Sequence, residues 1–373
     1  MDSFSTINPT IIGRNWHEVD TPALLLNLDA LDRNIRRMAD FFAALPAGSA
    51  GLRPHTKTHK TPIIARKQIE AGAIGVTCAK VGEAEVMVAG GISDILIANE
   101  IVGPTKVARL MALARHARLT IAVDDPTNLA ELSAAAQAFD ATVGVLVEVN
   151  VGMDRCGVEP GEPALALARR VLETRGLSFR GLMGYEGHAV LNPDRARREA
   201  ACQAAMKLLL DTKDYLVAGG VAVEVVSGGG TGTYDITGRL AGMTEVQAGS
   251  YATMDSSYGR LELPFEPALT ILATVISRPA KGRAILDCGI KAMSPDFGVP
   301  QPRNLSSARV TKLSEEHARL DLDDNGPDLR PGDKIEIIPT HGCTTINLHD
   351  RFFGTRGDLV ETVWEIAGRG RSR

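Results

Sequence analysis

No run of about 18 consecutive apolar residues occurs in this 373-residue chain, so nothing in it reads as a bilayer-spanning helix. The first twenty residues carry Asp2, Arg14 and Glu18 and lack the apolar core of a secretory signal. A basic excess is missing too. The chain has 41 Lys and Arg against 45 Asp and Glu, a formal net charge of −4. That leaves no basic face for nucleic acid and no polybasic membrane signal, and a phosphorylated ligand would need local anion sites. The five cysteines, Cys78, Cys156, Cys202, Cys288 and Cys343, are odd in number and show no paired spacing. Free thiols in a reducing compartment are the expectation, hence a cytoplasmic location. Low-complexity segments are absent.

What remains is an ordinary globular composition, 44% hydrophobic and 23% charged, in a chain long enough for one large domain plus a smaller one. After an irregular start, residues 23–28 form a short apolar run behind Asp20-Thr21-Pro22. Asp29 is placed to cap a helix reaching about residue 42. Short strand-like runs then alternate with amphipathic helical segments. The strands are expected at 52–53, 74–77, 94–98, 119–123, 143–149, 179–184, 223–226 and 244–247. Helices are expected at 81–89, 106–116, 127–138 and 163–174, the last opening on a proline where a missing N–H is harmless. Eight such units over some two hundred residues suit a (β/α)8 barrel, with a doubly wound open sheet as the alternative.

Beyond residue 261 the pattern changes to strands in succession, at 269–276, 283–287, 308–313, 318–322, 334–338 and 360–366. Strands without intervening helices point to a separate antiparallel β domain. The expected organisation is residues 1–28 as a segment lending a strand to the β domain, 29–262 as the barrel, and 263–373 as the β domain. The tail, residues 368–373, is expected to fray.

The densest basic cluster is Arg53-Pro54-His55-Thr56-Lys57-Thr58-His59-Lys60, at a strand-to-helix junction. Positions 55, 57 and 59 would share one side if the strand continued. A lysine there is commonly a solvated charge. It can also be a Schiff-base lysine whose pKa is depressed by neighbouring cations. In a barrel, functional side chains gather at the C-terminal ends of strands. Those ends carry Thr77, Asn99, Asp124, Asn150, Asp154-Arg155-Cys156-Gly157 and Tyr185-Glu186-Gly187-His188. Two further ends, Ser227-Gly228-Gly229-Gly230-Thr231-Gly232-Thr233 and Gly249-Ser250-Tyr251, follow the seventh and eighth strands, where barrels often hold phosphate. Arg155 reads as a surface ion-pair former or, beside a bound anion, as a set of forked permanent donors. In the β domain, His341 and Cys343 sit two apart, on one face if the segment is a strand or turn. Imidazole with thiolate suits zinc. On residue types alone, a buried free cysteine beside a hydrogen-bonded histidine is the commoner arrangement.

With these residues in view, the chain resembles the D-threonine aldolase and D-serine dehydratase family of fold-type III, alanine racemase-like pyridoxal 5′-phosphate (PLP) enzymes. The resemblance covers nearly the whole chain. It implies that Lys57 rather than Lys60 carries PLP, with His55 beside it. Arg155 of Arg-Cys-Gly and Tyr185 would lie at the cofactor ring, and Ser227, Gly228, Gly229, Gly230, Thr231, Gly249, Ser250 and Tyr251 would form the phosphate loops. His341 and Cys343 match the family's metal ligands, and a homodimer with active sites at its interface is implied.

The family holds two chemistries. The glycine loop, the segment Ala248-Gly249-Ser250-Tyr251-Ala252-Thr253-Met254-Asp255 and Asn347-Leu348-His349-Asp350 look like the aldolase branch. Metal-dependent aldolases usually place Asp two residues after the histidine, whereas Cys343 is the dehydratase choice. The favoured expectation is a PLP- and metal-dependent lyase cleaving Cα–Cβ of a D-3-hydroxy amino acid to glycine and an aldehyde. A metal at His341 and Cys343 would polarise the β-hydroxyl, and His59, His188 or a metal-bound water would take its proton. The thiolate favours Zn2+, the aldolase resemblance Mn2+ or Mg2+. The alternative is elimination from D-serine, D-threonine or 3-hydroxy-D-aspartate, with Lys57 taking the Cα proton. A cofactor-handling barrel protein and an alanine racemase are further rivals, disfavoured by the full β domain and the metal pair.

Overall fold

The structure, a computed structural model, describes residues 9–373 and divides into two compact units. One contains Ile35–Tyr251 with Arg260–Leu263 and Gly370–Arg373. The other contains the described residues up to Asn34 with Ala252–Gly259 and Pro264–Arg369.

The chain enters through β1 (Ala23–Asn27) and α1 (Leu28–Ala43). Asn27, not Asp29, caps this helix: its Oδ1 accepts the Ala30 N–H at 2.9 Å. Asp29 lies one residue inside the first turn, where its carboxylate pairs with Arg356. An asparagine preceded by four apolar residues looks like the end of a strand, which is why the aspartate stands out in the sequence instead.

Eight parallel strands follow: β2 (Gly51–Leu52), β3 (Val76–Cys78), β4 (Asp94–Glu100), β5 (Arg118–Val123), β6 (Val143–Glu148), β7 (Leu177–Met183), β8 (Val225–Gly228) and β9 (Glu245–Val246). Their order is β2-β9-β8-β7-β6-β5-β4-β3, and the ring closes where His55, just past β2, bridges Thr77 within β3. Closure rules out the open doubly wound sheet. The helices between are α2 (Pro62–Glu70), α3 (Val81–Ala89), α4 (Pro104–Ala114), α5 (Pro126–Phe139), α6 (Glu162–Glu173), α7 (Arg195–Ala218) and the single turn α8 (Tyr234–Thr237). Their starts obey local chemistry. Thr61 caps α2 ahead of Pro62, Asp125 accepts the Thr127 N–H ahead of Pro126, and Asp194 accepts the Arg197 N–H of α7.

Helix α7, at 24 residues the longest of the described elements, is not among the helices expected above. Its buried face is real, but Arg198, Cys202, Ala205 and Thr212 make up much of it, so small and polar residues blunt the apolar period. The interior of the barrel at its N-terminal end is charged. Arg53 reaches Asp94 at 2.9 Å and Glu245 at 2.7 Å, all three largely buried.

In the other unit the strands run β13-β14-β11-β10-β1-β16-β17, with β15 also on β10 and β12 on β15. They are β10 (Leu269–Ala280), β11 (Arg283–Leu286), β12 (Gln301–Pro302), β13 (Ala308–Leu313), β14 (Ala318–Leu322), β15 (Lys334–Ile338), β16 (Arg351–Arg356) and β17 (Leu359–Glu365). All pairings are antiparallel except β1 with β16. The early strand β1 lies between β10 and β16, every side chain of Ala23, Leu24, Leu25 and Leu26 buried. Strand β16 escapes the sequence pattern because Gly354 interrupts it; a Cβ there would sit 2.7 Å from Thr362 Cγ2 of β17. A short helix, α9 (Gly342–Ile346), follows β15.

The tail does not fray. The carbonyl of Arg373 accepts from Arg109 at 3.0 Å, and Arg371 and Arg373 pack so closely on α3 that only a glycine fits at Gly82. No helix among the described residues is long and apolar enough to cross a membrane.

Candidate active site

The strand does not continue through residues 55–59. His55 ends it in the bridge to Thr77, and 56–59 form a turn that leads into the cap of α2. Positions 55, 57 and 59 therefore do not alternate on one face. The basic cluster of the sequence also disperses. Arg53 is neutralised by Asp94 and Glu245 at the far end of the barrel, and the Lys60 ammonium is ion-paired with the buried carboxylate of Glu83. Burial, then the nearby Lys57, pushes the His55 pKa well below its usual range.

His59 is enclosed at 0% exposure, and burial lowers its pKa to about 4. Its Nδ1 accepts the Thr61 N–H at 3.3 Å. Its Nε2 meets Gln68 Oε1 at 3.2 Å, while Gln68 Nε2 donates to the Tyr251 hydroxyl at 2.9 Å. An amide that donates through nitrogen must accept through oxygen, so His59 carries its proton on Nε2. The crowd of cations about Lys57 is in fact two neutral imidazoles and two charges paired elsewhere.

Lys57 is half-buried, and its Nζ lies 5.7 Å from the centroid of the Tyr185 ring. The guanidinium carbon of Arg155 lies 5.8 Å from the same centroid. Both are within the range of cation–π attraction. The loop after β6 holds Arg155 in place. Asn150 Oδ1 accepts the N–H groups of Gly152 and Asp154 at 3.0 and 3.2 Å, and Asp124 accepts that of Gly157 at 3.0 Å. Gly157 has φ +103°, and a Cβ there would meet Asn150 N at 2.6 Å. Thr77 and Asn99 likewise hold neighbouring backbone, at Arg53 O and Ala79 O. His188, by contrast, is exposed and stands against Gly152.

The glycine turn after β8 is wholly buried from Ser227 through Thr233. Gly229 takes φ +79°, and a Cβ on Gly232 would strike the Val190 carbonyl at 1.8 Å. Gly230 packs under the Tyr185 ring, 3.4 Å from its Cε2 to an added Cβ. Beside the turn, Gly249 lies so near His55 that a Cβ would be 2.6 Å from the His55 carbonyl. Ser227 Oγ accepts from Gln247, and Thr231 Oγ1 accepts the Tyr251 N–H at 3.0 Å. Tyr251 is thereby spent on the protein through both its N–H and its hydroxyl. Among the described residues, no hydrogen bond takes the buried N–H groups of Thr231 and Gly232. Buried, unanswered donors in a glycine turn fit an anion such as a phosphate group.

Near Arg155, Asp124 and Cys156 are joined by two carboxylates not singled out above, Glu100 and Glu148. One ligand atom each of Glu100, Asp124 and Cys156 falls within 4.8 Å of the others. Glu148, 4% exposed, has its pKa raised to about 8, first by burial and then by Glu100. Arg155 approaches Glu148 at 3.8 Å. The signal of these acids in the sequence was one carboxylate at the end of each of three successive strands.

In the other unit, His341 and Cys343 are not on a strand. His341 caps α9 and Cys343 is its second residue. The two side chains still meet, because the first turn of a helix folds residues back on its cap. The buried carboxylate of Asp255 organises the site. Its Oδ2 lies 3.3 Å from His341 Nδ1 and accepts the Gly342 N–H at 2.9 Å, while its Oδ1 accepts the N–H groups of Ser257 and Tyr258. Burial disfavours a charge on His341, but Asp255 and Cys343 outweigh it and raise its pKa to about 10. A carboxylate on one imidazole nitrogen with a thiol beside the ring fits a divalent metal, the carboxylate fixing the ring for coordination through the other nitrogen.

Comparison with known proteins agrees with this layout. The pattern of the alanine racemase N-terminal domain matches residues 26–257, and that of a putative serine dehydratase domain matches residues 268–355. D-threonine aldolase from Arthrobacter sp is 40% identical over 95% of this chain and 94% of its own length. 3-Hydroxy-D-aspartate aldolase from Paracoccus denitrificans (strain Pd 1222) is 38% identical over 97% of this chain and 95% of its own. D-threo-3-hydroxyaspartate dehydratase from Delftia sp. (strain HT23) stands further off, at 30% over 93% and 97%. The crystal structure of D-threonine aldolase from Filomicrobium marinum superposes with a TM-score of 0.93 at 42% identity, covering 97% of this chain and 99% of that one. The chain thus belongs to the alanine racemase-like lyases, in the family that contains D-threonine aldolase and 3-hydroxy-D-aspartate aldolase.

Proposed function

We propose that this protein is a PLP- and divalent-metal-dependent aldolase that cleaves Cα–Cβ of a D-3-hydroxy amino acid to glycine and an aldehyde. The observation that carries the reaction type is identity near 40% along the whole length with two aldolases, against 30% with the dehydratase. The barrel, residues 29–262, takes the cofactor, and residues 263–373 carry the metal pair. The working form is a cytoplasmic homodimer.

PLP supplies an electron sink for the bond broken at Cα. Lys57 is the amine that holds it, because Lys60 is locked to Glu83 as a charged pair and so offers no free amine. Tyr185, backed by Gly230, would flank the cofactor ring, with the forked donors of the Arg155 guanidinium beside the Tyr185 ring. His55, neutral and buried, shapes the turn from below through its Nδ1, 3.4 Å from the Lys57 N–H. The N–H groups of Thr231 and Gly232, with Gly249 and Ser250 alongside, receive the phosphate. Ser227, Gly228, Gly229 and Tyr251 shape the turn.

His341 and Cys343 hold the metal, which supplies a Lewis acid for the substrate's β-hydroxyl. Zinc suits the thiolate, and manganese or magnesium is the other choice. Of the two histidines considered for removing the hydroxyl proton, His59 is enclosed with both nitrogens engaged, so its part is to hold Gln68 and Tyr251. His188, exposed at the barrel mouth, takes that proton on a ring nitrogen.

The second reading is elimination to ammonia and a 2-oxo acid, with Lys57 taking the Cα proton. Cys343 favours it, being the residue that the dehydratases carry. Product analysis separates the two. Purified, PLP-loaded protein is given D-threonine and 3-hydroxy-D-aspartate, each with and without Zn2+ and Mn2+. Glycine with an equimolar aldehyde is expected; ammonia with a 2-oxo acid would replace the aldolase by the dehydratase.

A further inference from the structure

Next to Tyr185 in the chain, Glu186 is 0% exposed, and among the described residues it has no basic side chain in ion-pair range. It is nevertheless fully used. Its Oε2 accepts the Gly229 N–H at 3.1 Å, and its Oε1 accepts the hydroxyls of Thr233 at 2.7 Å and Thr237 at 3.1 Å. Cys202 Sγ adds a weak donor at 3.7 Å. Thr233 passes the contact on, its oxygen accepting the Gly230 N–H at 3.1 Å. A carboxylate buried without a cation is costly unless several donors point at it. Here every donor comes from the glycine turn, the single turn α8 behind it, or the face of α7.

The turn has few other supports. Glycines have no side chains to pack, and residues 228–230 would otherwise sample many backbone states. Just past the end of β7, the Tyr185 ring lies by Lys57, Arg155 and Gly230, while the adjacent Glu186 carboxylate enters the turn itself.

We infer that Glu186 is a positioning residue for the phosphate of the cofactor: it fixes the backbone of the 227–233 turn so that the N–H groups of Thr231 and Gly232 stay aimed outward. By joining the turn to the segment that carries Tyr185, it also fixes the spacing between the phosphate site and the ring site. This rests on the PLP reading above. It adds that one buried carboxylate, which never touches the cofactor, sets the selectivity for its phosphorylated form.

Glu186→Gln tests it. The amide keeps the size and one acceptor but puts an NH2 group where the other carboxylate oxygen stood, so on that side a donor replaces the acceptor of the turn's hydrogen bonds. Apo protein is titrated with PLP and, separately, with pyridoxal, which has the aldehyde and ring but no phosphate. Binding is read from the absorbance that Lys57 gives the bound aldehyde, and thermal melts accompany each variant. Wild type should prefer PLP strongly. Glu186→Gln should weaken PLP roughly ten- to a hundredfold, the range for a buried donor left unanswered, and leave pyridoxal unchanged.

Thr233→Val should act in the same direction, and Thr233→Ser, which keeps the hydroxyl, should restore the preference. That pair keeps the test decisive if the Glu186 variant does not fold. Equal loss of PLP and pyridoxal would make Glu186 a general structural residue and overturn the inference. Unchanged PLP affinity would overturn it as well, leaving the cofactor reading intact. A wild type that binds neither compound would overturn both.

Discussion

Asp255 Oδ2 lies 3.3 Å from His341 Nδ1 and at the same time accepts the N–H of Gly342 at 2.9 Å. One buried carboxylate thus holds both the imidazole and the backbone from which Cys343 projects. Replacing Asp255 with Ala should weaken metal binding about ten- to a hundredfold, the usual effect of losing a carboxylate behind a ligating histidine. Cys343→Ala should lower the metal content of purified protein further. Elemental analysis after dialysis checks both, and full metal occupancy in Cys343→Ala would remove that residue from the ligand set.

Lys57 and Lys60 lie three residues apart and should behave oppositely when changed. Lys57→Ala should abolish the visible absorbance of the lysine-bound cofactor together with turnover, while melting near the wild-type temperature. Lys60→Met should keep the absorbance and lower stability by about 3–5 kcal/mol, because it strands the buried carboxylate of Glu83. Spectra and denaturant curves of the two variants decide. A normal spectrum in Lys57→Ala would defeat the cofactor assignment.

Gly249 has no room for a side chain, its virtual Cβ being 2.6 Å from the His55 carbonyl and 2.9 Å from Thr58 Oγ1. Gly249→Ala must push the turn carrying Lys57 away from the neighbouring strand end. Overpacking of this kind costs about 1–3 kcal/mol. Cofactor affinity should fall along with stability, and a titration with PLP beside a melt would reveal an uncoupling of the two.

The buried His59 gives a pH dependence with a definite sign. Its pKa is about 4 in the folded protein against an ordinary 6.5, so the unfolded chain binds the proton first as the medium is acidified. Stability attributable to this group is complete above pH 6.5 and is lost as the pH falls toward 4. The full loss comes to about 3 kcal/mol from a shift of this size. His59→Gln, which keeps a donor toward Gln68 without the ionisation, should show a shallower decline in melting temperature between pH 7 and pH 4. An identical slope in both proteins would count against the buried neutral state.

The two-part architecture was legible because strand periodicity with intervening helices, then strands in succession, leaves few other packings. The glycine turns were legible for a related reason. Only a run such as Ser227-Gly228-Gly229-Gly230 tolerates backbone that approaches other backbone this closely. Helix α7 and strand β16 were missed where burial is carried by Thr212, Arg198 and Gly354 rather than by large apolar side chains. Glu186 looked like any polar residue at a strand end, and Asp255 like part of a loop.

Composition, periodicity and glycine placement by themselves narrowed the first part of the chain to a closed barrel or an open doubly wound sheet, set a β domain after it, and marked the positions where chemistry could gather. Residue types also brought Arg155 and His341 forward, while it was the family resemblance that chose Lys57 and Tyr185. Only the tertiary structure decided which charges survive there. It sent Arg53 to Asp94 and Glu245, gave Lys60 to Glu83, and buried His55 and His59 as neutral rings. Local sequence lists charges, but the partner and the burial that fix each one's protonation come from residues as far apart as Arg53 and Glu245, which only the closed barrel brings together.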